Sequence, residues 1–322
     1  MCGWLEAGEP AWLATVIETW GSSPRPVGSL FACNGRGRTV GSLSGGCVED
    51  DLLEKLTSGE LARDGAQFFR YGISTEETEK FGLPCGGSLH IVIEPLAADD
   101  ATRAHFQHLR QRLTQRTWTR RRVDVRRGTR SLEDTDAFTP LHWDAAGQML
   151  THVYGPRHQL FIIGAGMVSK YLAELAGKLD FLVTVCDPRE HLLEEFGIPG
   201  VTLVNDMPDD AVRRHASDPA SAIVALTHDP RIDDMGLMEA LYTPAFYVGA
   251  MGSRRTSESR RRRLRELDVD DDALARLHAP IGLPIGSKTP PEIAIAIMAE
   301  IIAVRSRSAA RAREPLAAVQ AQ

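Results

Sequence analysis

The sequence predicts an α/β protein: a doubly wound parallel sheet in the C-terminal half and a smaller α/β domain at the N-terminus. Three observations predict it. After residue 158, short apolar runs at 160–163, 181–186, 201–204, 222–227 and 246–250 alternate with helical segments, the pattern of parallel strands covered on both faces. Gly164-Ala165-Gly166-Met167-Val168-Ser169 follows the first run and opens a helix, the context a dinucleotide-type glycine loop requires. Before residue 97, strand-like runs surround an amphipathic helix with Val48, Leu52, Leu53 and Leu56 on one stripe.

In chain order, residues 12–20 read as a strand that ends in the turn cluster Gly21-Ser22-Ser23-Pro24. A hairpin follows, 29–33 returning at 39–43 through Asn34-Gly35-Arg36-Gly37. Ser44-Gly45-Gly46-Cys47-Val48-Glu49 opens the amphipathic helix, which ends near Gly59. Residues 67–71 and 88–94 read as strands around a loop holding Pro84-Cys85-Gly86-Gly87. A polar helix over 99–117 and exposed strands between 119 and 154 follow. The last helix starts at Thr289, with Pro290 at its first position and Glu292 completing a capping box. Its body, 293–304, is apolar nearly all round, which predicts burial in a core or a homodimer contact. The organisation is therefore an N-terminal α/β domain (1–97), a connecting helix and β subdomain (98–157), a Rossmann-like domain (158–306) and a disordered tail (307–322).

Composition narrows the function. With 322 residues, 43% hydrophobic and 25% charged, the chain has the make-up of a soluble globular protein of two domains. It has no membrane-length apolar stretch and no basic, apolar leader, so the cytoplasm is the expected compartment. The net charge of −6 argues against nucleic acid as a partner. Two basic clusters, Arg120–Arg127 and Arg254–Arg265, read as a solvated strand pair and a solvated helix face. Five cysteines, Cys2, Cys33, Cys47, Cys85 and Cys186, show no CxxC spacing, so free thiols rather than a structural zinc site are expected.

The chemistry is expected at two places. In the C-terminal half the first glycine of the loop allows a tight turn, and the second lets backbone amides approach a phosphate at the helix start. Asp187, ending the next strand, is placed to accept from a ribose hydroxyl, while Arg189 could serve a phosphate instead. Thr227-His228-Asp229 and Gly249-Ala250-Met251-Gly252-Ser253-Arg254-Arg255 leave two further strands and line the same crevice. His228 could also act as an acid–base residue, or with Asp229 simply cap the next helix. Gly286-Ser287-Lys288-Thr289 has the wrong order for a P-loop. In the N-terminal half, Cys47 follows two glycines at a helix start. The helix dipole and bare amides there favour a thiolate, with Glu49 partly opposing. Cys85 sits in a similar setting, whereas Cys33 and Cys186 read as core residues.

These motifs together resemble the XdhC/CoxI family. Gly21 to Gly28, Ser44 to Glu49 and Cys85-Gly86-Gly87 resemble its N-terminal domain. Gly164 to Gly166, Asp187-Pro188-Arg189, Thr227-His228-Asp229, Gly249 to Arg255, Pro280 to Leu283 and Thr289 to Ala294 resemble its C-terminal Rossmann-like domain. Residues 98–157 and the tail lie outside the match, and Ser169, Pro188 and Met251 depart from the family pattern. The resemblance implies an accessory factor for a xanthine dehydrogenase-type molybdenum hydroxylase, a maturation chaperone rather than a catalyst. Such a factor binds molybdenum cofactor (molybdopterin), protects it while a cysteine desulfurase supplies its sulfur, and delivers it to the apo-enzyme. The cofactor-binding set is then Gly45, Gly46, Cys47, Cys85, Gly164, Gly166, Asp187, Arg189, His228, Asp229, Gly252, Ser253 and Arg254. Cys47 is the candidate metal ligand, and the crevice could also hold a nucleotide. The two halves are expected to bring the thiol loop and the phosphate loops onto one cleft. The alternative reading is an NAD(P)-dependent oxidoreductase using the same crevice.

Overall fold

The computed structural model describes residues 1–20, 25–72, 88–135 and 138–311. The chain divides into two compact units, Met1–Gly155 and Pro156–Gln322. The predicted turn at Gly21–Pro24 and the loop carrying Cys85 lie outside the described residues.

The first unit contains an antiparallel sheet of β1 (Ala11–Trp20), β2 (Leu30–Asn34), β3 (Thr39–Gly41), β4 (Gln67–Tyr71) and β5 (Ser88–Leu96), in the order β3-β2-β1-β5-β4. Both faces are covered, which is why β1 and β5 are buried almost continuously rather than at alternate positions. On one face helix α2 (Cys47–Thr57) presents Val48, Leu52 and Leu56 to Ala14, Val16, Phe31, Ile91 and Ile93. On the other, α1 (Cys2–Glu6) and α3 (Asp100–Thr114) bring Leu5, Phe106 and Leu109 against Leu13, Ala32 and Leu96.

That second face also carries a four-stranded antiparallel sheet of β6 (Thr119–Asp124), β7 (Thr129–Asp134), β8 (His142–Asp144) and β9 (Met149–Tyr154), ordered β7-β6-β9-β8. Val123, Val125 and Leu150 pack there with Ile17 and Val92. Residues 98–155, whose polar composition reads as a connecting subdomain, thus share one core with the first 97. A buried ion cluster joins the two sheets. Arg121 of β6 forks onto Glu94 of β5 at 2.8 and 2.7 Å, and Arg130 of β7 adds a bond of 3.0 Å. The side chains of Arg121 and Glu94 are 1% and 0% exposed. The Arg120–Arg127 cluster is therefore not a uniformly solvated face: strand alternation sends Arg121 inward, where Glu94 compensates its charge, and leaves Arg122 outside.

The second unit is a parallel sheet of β10 (Gln159–Ile163), β11 (Leu182–Cys186), β12 (Val201–Val204), β13 (Ser221–Ala225), β14 (Tyr247–Ala250) and β15 (Leu277–His278), ordered β12-β11-β10-β13-β14-β15. The two-residue β15 is too short to leave a sequence pattern. Helices α4 (Met167–Lys178) and α10 (Pro290–Arg311) cover one face through Leu172, Ala176, Ala294, Ile297 and Ile301. Helices α6 (Pro208–His215), α7 (Pro230–Ala240) and α8 (Arg254–Glu266) cover the other through Val212, Leu237 and Leu264. Short helices α5 (Glu190–Glu194) and α9 (Asp271–Ala275) complete the unit. The Glu292 half of the capping box of α10 forms, its carboxylate accepting from the amides of Lys288 and Thr289. Strand order reverses between β11-β10 and β10-β13, so the loops after these strands splay apart and open a crevice.

Candidate functional site

In the second unit the glycine loop joins β10 to α4. Gly164 has φ +107, and a Cβ there would lie 2.7 Å from Thr227 Cγ2 and 3.0 Å from the Thr227 amide nitrogen. This position is closed to side chains by the neighbouring strand end. Gly166 is different: it caps α4 in extended conformation, and a Cβ there would meet no atom within 4 Å. The loop thus packs tightly on its protein side and leaves open space at the first turn of α4, where unpaired amides favour an anion. Ser169 is fully buried against the sheet, so its small size serves helix–strand packing.

Asp187 is not presented to the crevice. It is completely buried, and both oxygens are filled. One accepts from the Arg189 amide (3.0 Å) and Nε (2.8 Å), the other from the Ala165 amide (2.9 Å) and Arg189 Nη2 (2.8 Å). Burial alone would raise this carboxyl, but the bonds from Arg189 and Ala165 outweigh it and hold it below the ordinary aspartate range. Asp187 therefore pins the glycine loop. A ribose hydroxyl could reach it only by displacing Arg189.

Two loops face the same crevice. Thr227 donates through its amide and hydroxyl to Asp233 at 3.1 and 2.7 Å. His228 is exposed, in a left-handed conformation (φ +64) that is strained for a residue with a side chain. Asp229 caps α7, accepting from the Arg231 amide (3.0 Å), and pairs with the Arg231 guanidinium. The Arg231 hydrogen bond lowers its carboxyl to about 2. After β14, Ser253 caps α8 by accepting from the Thr256 amide, and Arg254 is exposed at the first position of that helix. Arg260, inside the basic cluster, is buried. It donates to the Met251 carbonyl (2.9 Å), Asp233 (2.8 Å) and Asp234 (3.0 Å), so one guanidinium ties the two loops together. The cluster at 254–265 is therefore not a uniformly solvated helix face, because acids on α7 compensate the inward arginine.

In the first unit Cys47 is exposed at the first position of α2. The loop before it is organised by Glu49. One carboxylate oxygen accepts from the amides of Leu43 (2.8 Å), Ser44 (2.9 Å) and Gly45 (2.9 Å) and from Ser42 Oγ (2.8 Å). The other accepts from the Gly46 amide (3.1 Å) and Ser44 Oγ (2.8 Å). Burial opposes ionisation, but these bonds dominate and hold the carboxyl far below the usual glutamate range. Glu49 thus takes the amides of the loop that leads into Cys47, not those of Cys47 and Val48 in the first turn of α2. Gly45, at φ +89, supplies the left-handed turn this wrapping needs. Beside the loop, Arg25, Ser29, Leu30, Gly41 and Ser42 line a cavity of about 340 Å³. Cys33 and Cys186 are buried, and burial pushes both thiols up to about 12, as befits core residues. Among the described residues no cluster of three or more His, Cys, Asp or Glu side chains could hold a metal ion. No helix there is long and apolar enough to cross a membrane.

Residues 160–301 match the model of the XdhC Rossmann domain, and residues 4–72 match that of the XdhC and CoxI family. This chain belongs to the XdhC and CoxI family. Similar proteins include a probable xanthine dehydrogenase subunit of Bacillus subtilis, 26% identical over 95% of this chain and 96% of that protein. The molybdenum cofactor insertion chaperone PaoD of Escherichia coli is 28% identical over 94% of this chain and 85% of its own length. A Bacillus halodurans protein whose crystal structure is described as a xanthine dehydrogenase superposes with a TM-score of 0.74 at 27% identity, covering 95% and 96% of the two chains.

Within this XdhC-type chain, Gly164, Gly166, Asp187, Arg189, His228, Asp229, Gly252 and Ser253 lie in loops at the carboxyl ends of neighbouring strands of one sheet, and Arg254 opens the helix after the last of them. Gly45, Gly46 and Cys47 share one loop and helix start in the other unit. Cys85 lies outside the described residues. Sequence reasoning missed the organisers Asp233, Arg260 and, in its positive role, Glu49. It also missed a cluster beside β14 and β15, where Glu300 of α10 accepts from Tyr247 of β14 (2.6 Å), His278 of β15 (3.0 Å) and the Gly282 amide (2.7 Å). The paired acids Asp233-Asp234, one helix away from a run of arginines, were the available signal.

Proposed function

We propose that this protein is an accessory factor that binds molybdenum cofactor, shields it during sulfuration by a cysteine desulfurase, and delivers it to a xanthine dehydrogenase-type apo-enzyme. Family membership and a relative named as an insertion chaperone support the general role. One structural observation carries the chemical reading: Cys47, the one exposed thiol among the described residues, stands at the start of α2 after a loop whose amides Glu49 holds. A soft thiolate on a rigid loop suits a thiophilic centre, and no competing ligand cluster stands beside it among the described residues.

The residues fit the cofactor on two counts. In the second unit, taken by itself, the open cradle at Gly166 has the space and polarity for a phosphate; in the first unit, taken by itself, Cys47 offers a sulfur ligand. When bound, the cofactor supplies an oxo-molybdenum centre with an exchangeable sulfur. The chain's own contribution is to hold and shield. Gly164 and Asp187 fix the glycine loop, Ser253 and Arg254 offer a hydroxyl and a positive charge to an anion, and Cys47 offers its sulfur. The dimer and the cytoplasmic setting belong to the same reading.

The test is anaerobic purification from cells making the cofactor, followed by molybdenum and pterin analysis. Wild-type protein is expected to carry both, and Cys47→Ala to lose most of the molybdenum while its thermal unfolding stays unchanged. Equal molybdenum and equal client activation by Cys47→Ala would remove the thiol from the mechanism. Turnover of a carbonyl substrate with NADH or NADPH would favour the oxidoreductase reading instead.

A further inference from the structure

The second unit departs from a nicotinamide-nucleotide site at one place. In the common arrangement the acid ending the second strand accepts from a ribose diol. Here that acid, Asp187, is fully buried and holds four donors, three of them from Arg189. The Arg189 guanidinium lies where the diol would sit, one carboxylate away from the Ala165 amide of the glycine loop. Its side chain is 38% exposed, and its Nη1 group makes no hydrogen bond among the described residues. A guanidinium has five N–H donors, so Nη1 is left over on the outer side of the ion pair, with Asp229 and Asp233 also within electrostatic reach of Arg189.

A separate observation comes from the loop after β14, which β10 and β13 separate in the sheet from the β11 end that carries Arg189. Ser257 Oγ is buried without a hydrogen-bond partner. It lies 3.7 Å from where a Cβ on Gly252 would be, so it is aimed at the loop that carries Ser253 and Arg254. Buried hydroxyls normally find a partner, and this one has none among the described residues.

We infer that Arg189 sets the ligand class of the crevice: it replaces the ribose diol on Asp187 and selects a phosphomonoester, so that NAD and NADH are rejected. The inference rests on the reading that this crevice holds a phosphate-bearing ligand. It names which kind. The phosphomonoester could be the terminal phosphate of a pterin or the 2′-phosphate of NADPH, and the two sources separate in the assay.

The experiment is calorimetric titration of the full chain with NADH, NADPH and inorganic phosphate, in wild type, Arg189→Ala and Arg189→Lys. The expected wild-type result is binding of inorganic phosphate, with NADH at least about tenfold weaker than NADPH, the effect of one charge-assisted contact. Phosphate binding that Arg189→Ala weakens about tenfold, with neither nucleotide bound, also supports the inference and assigns the non-nucleotide source. In Arg189→Ala the freed Asp187 should bring NADH up and NADPH down, each by about tenfold. Arg189→Lys keeps the charge and should keep the phosphate, which guards against a variant that merely misfolds. Equal or tighter binding of NADH by wild type, an unchanged ratio in Arg189→Ala, or no binding of any probe overturns the inference. Molybdenum and pterin content is measured separately, so the accessory-factor reading can stand or fall without it.

Discussion

Glu49→Gln isolates the device that shapes the thiol loop. The wild-type carboxylate accepts six hydrogen bonds, four from backbone amides and two from hydroxyls. Bonds to a charged acceptor contribute about 1.5–3 kcal/mol each when buried, but Gly45 and Gly46 are exposed, and solvent replaces much of that. The amide variant keeps one acceptor oxygen and turns an NH2 group toward the Gly46 N–H and Ser44 Oγ, so the Gly46 bond is lost outright, the Ser44 hydroxyl must turn to accept, and the rest lose their charge. A net cost of about 2 kcal/mol follows, on the order of a 30-fold change in a local opening equilibrium. Hydrogen exchange should therefore speed up by about that factor at Leu43, Ser44, Gly45 and Gly46, while the core amides of β1 and β5 are unaffected. The sign of the pH dependence is set by the lowered carboxyl. Its contribution is fully present above the ordinary glutamate range of about 4.5 and fades only as pH falls well below it, toward the folded-state value. The wild-type loop should stay protected from pH 7 to 5, and the variant should lack the acid-dependent loss. Unchanged exchange at these four amides in Glu49→Gln would refute the reasoning.

Two further contrasts probe the glycine loop and the buried ion cluster. Gly164→Ala must place a Cβ 2.7 Å from Thr227 Cγ2 at φ +107, and should cost about 2 kcal/mol or more in stability. Gly166→Ala meets no atom within 4 Å, so it should leave unfolding within about 0.5 kcal/mol of wild type while weakening phosphate binding; the reverse order in thermal denaturation would contradict the packing described. Arg121→Ala removes the buried partner of Glu94 and should cost about 3–5 kcal/mol, whereas Arg122→Ala, next on the same strand, loses only an exposed pair with Glu133 and should cost under about 1 kcal/mol. All five tryptophans, Trp4, Trp12, Trp20, Trp118 and Trp143, fall in the first unit, so urea unfolding followed by tryptophan fluorescence reads that unit alone, and equal midpoints would disprove the buried fork.

For the second unit, residue order is enough to dictate the architecture, because strands buried on both faces leave uninterrupted apolar runs and the glycine loop marks the turn between the first of them and its helix. The starts of α2 and of α10 are equally local, because capping depends on residues three apart along the chain. The glycine, Asp187, Thr227 and Gly252 loops also fall at one edge of the sheet from the pattern alone, since parallel topology sends every strand end there. Partnership between distant charges is settled only in three dimensions. Nothing local distinguishes Arg121 from Arg122, or Arg260 from its neighbours; only the acids brought from β5 and α7 decide which arginine goes inside. For the same reason Asp187 reads as a ligand acceptor in the sequence and proves to be an anchor in the fold, and Glu49 reads as an opponent of the thiol and proves to be the scaffold of its loop. A carboxylate's role is set by the donors that surround it, and those donors are assembled only when the chain has folded.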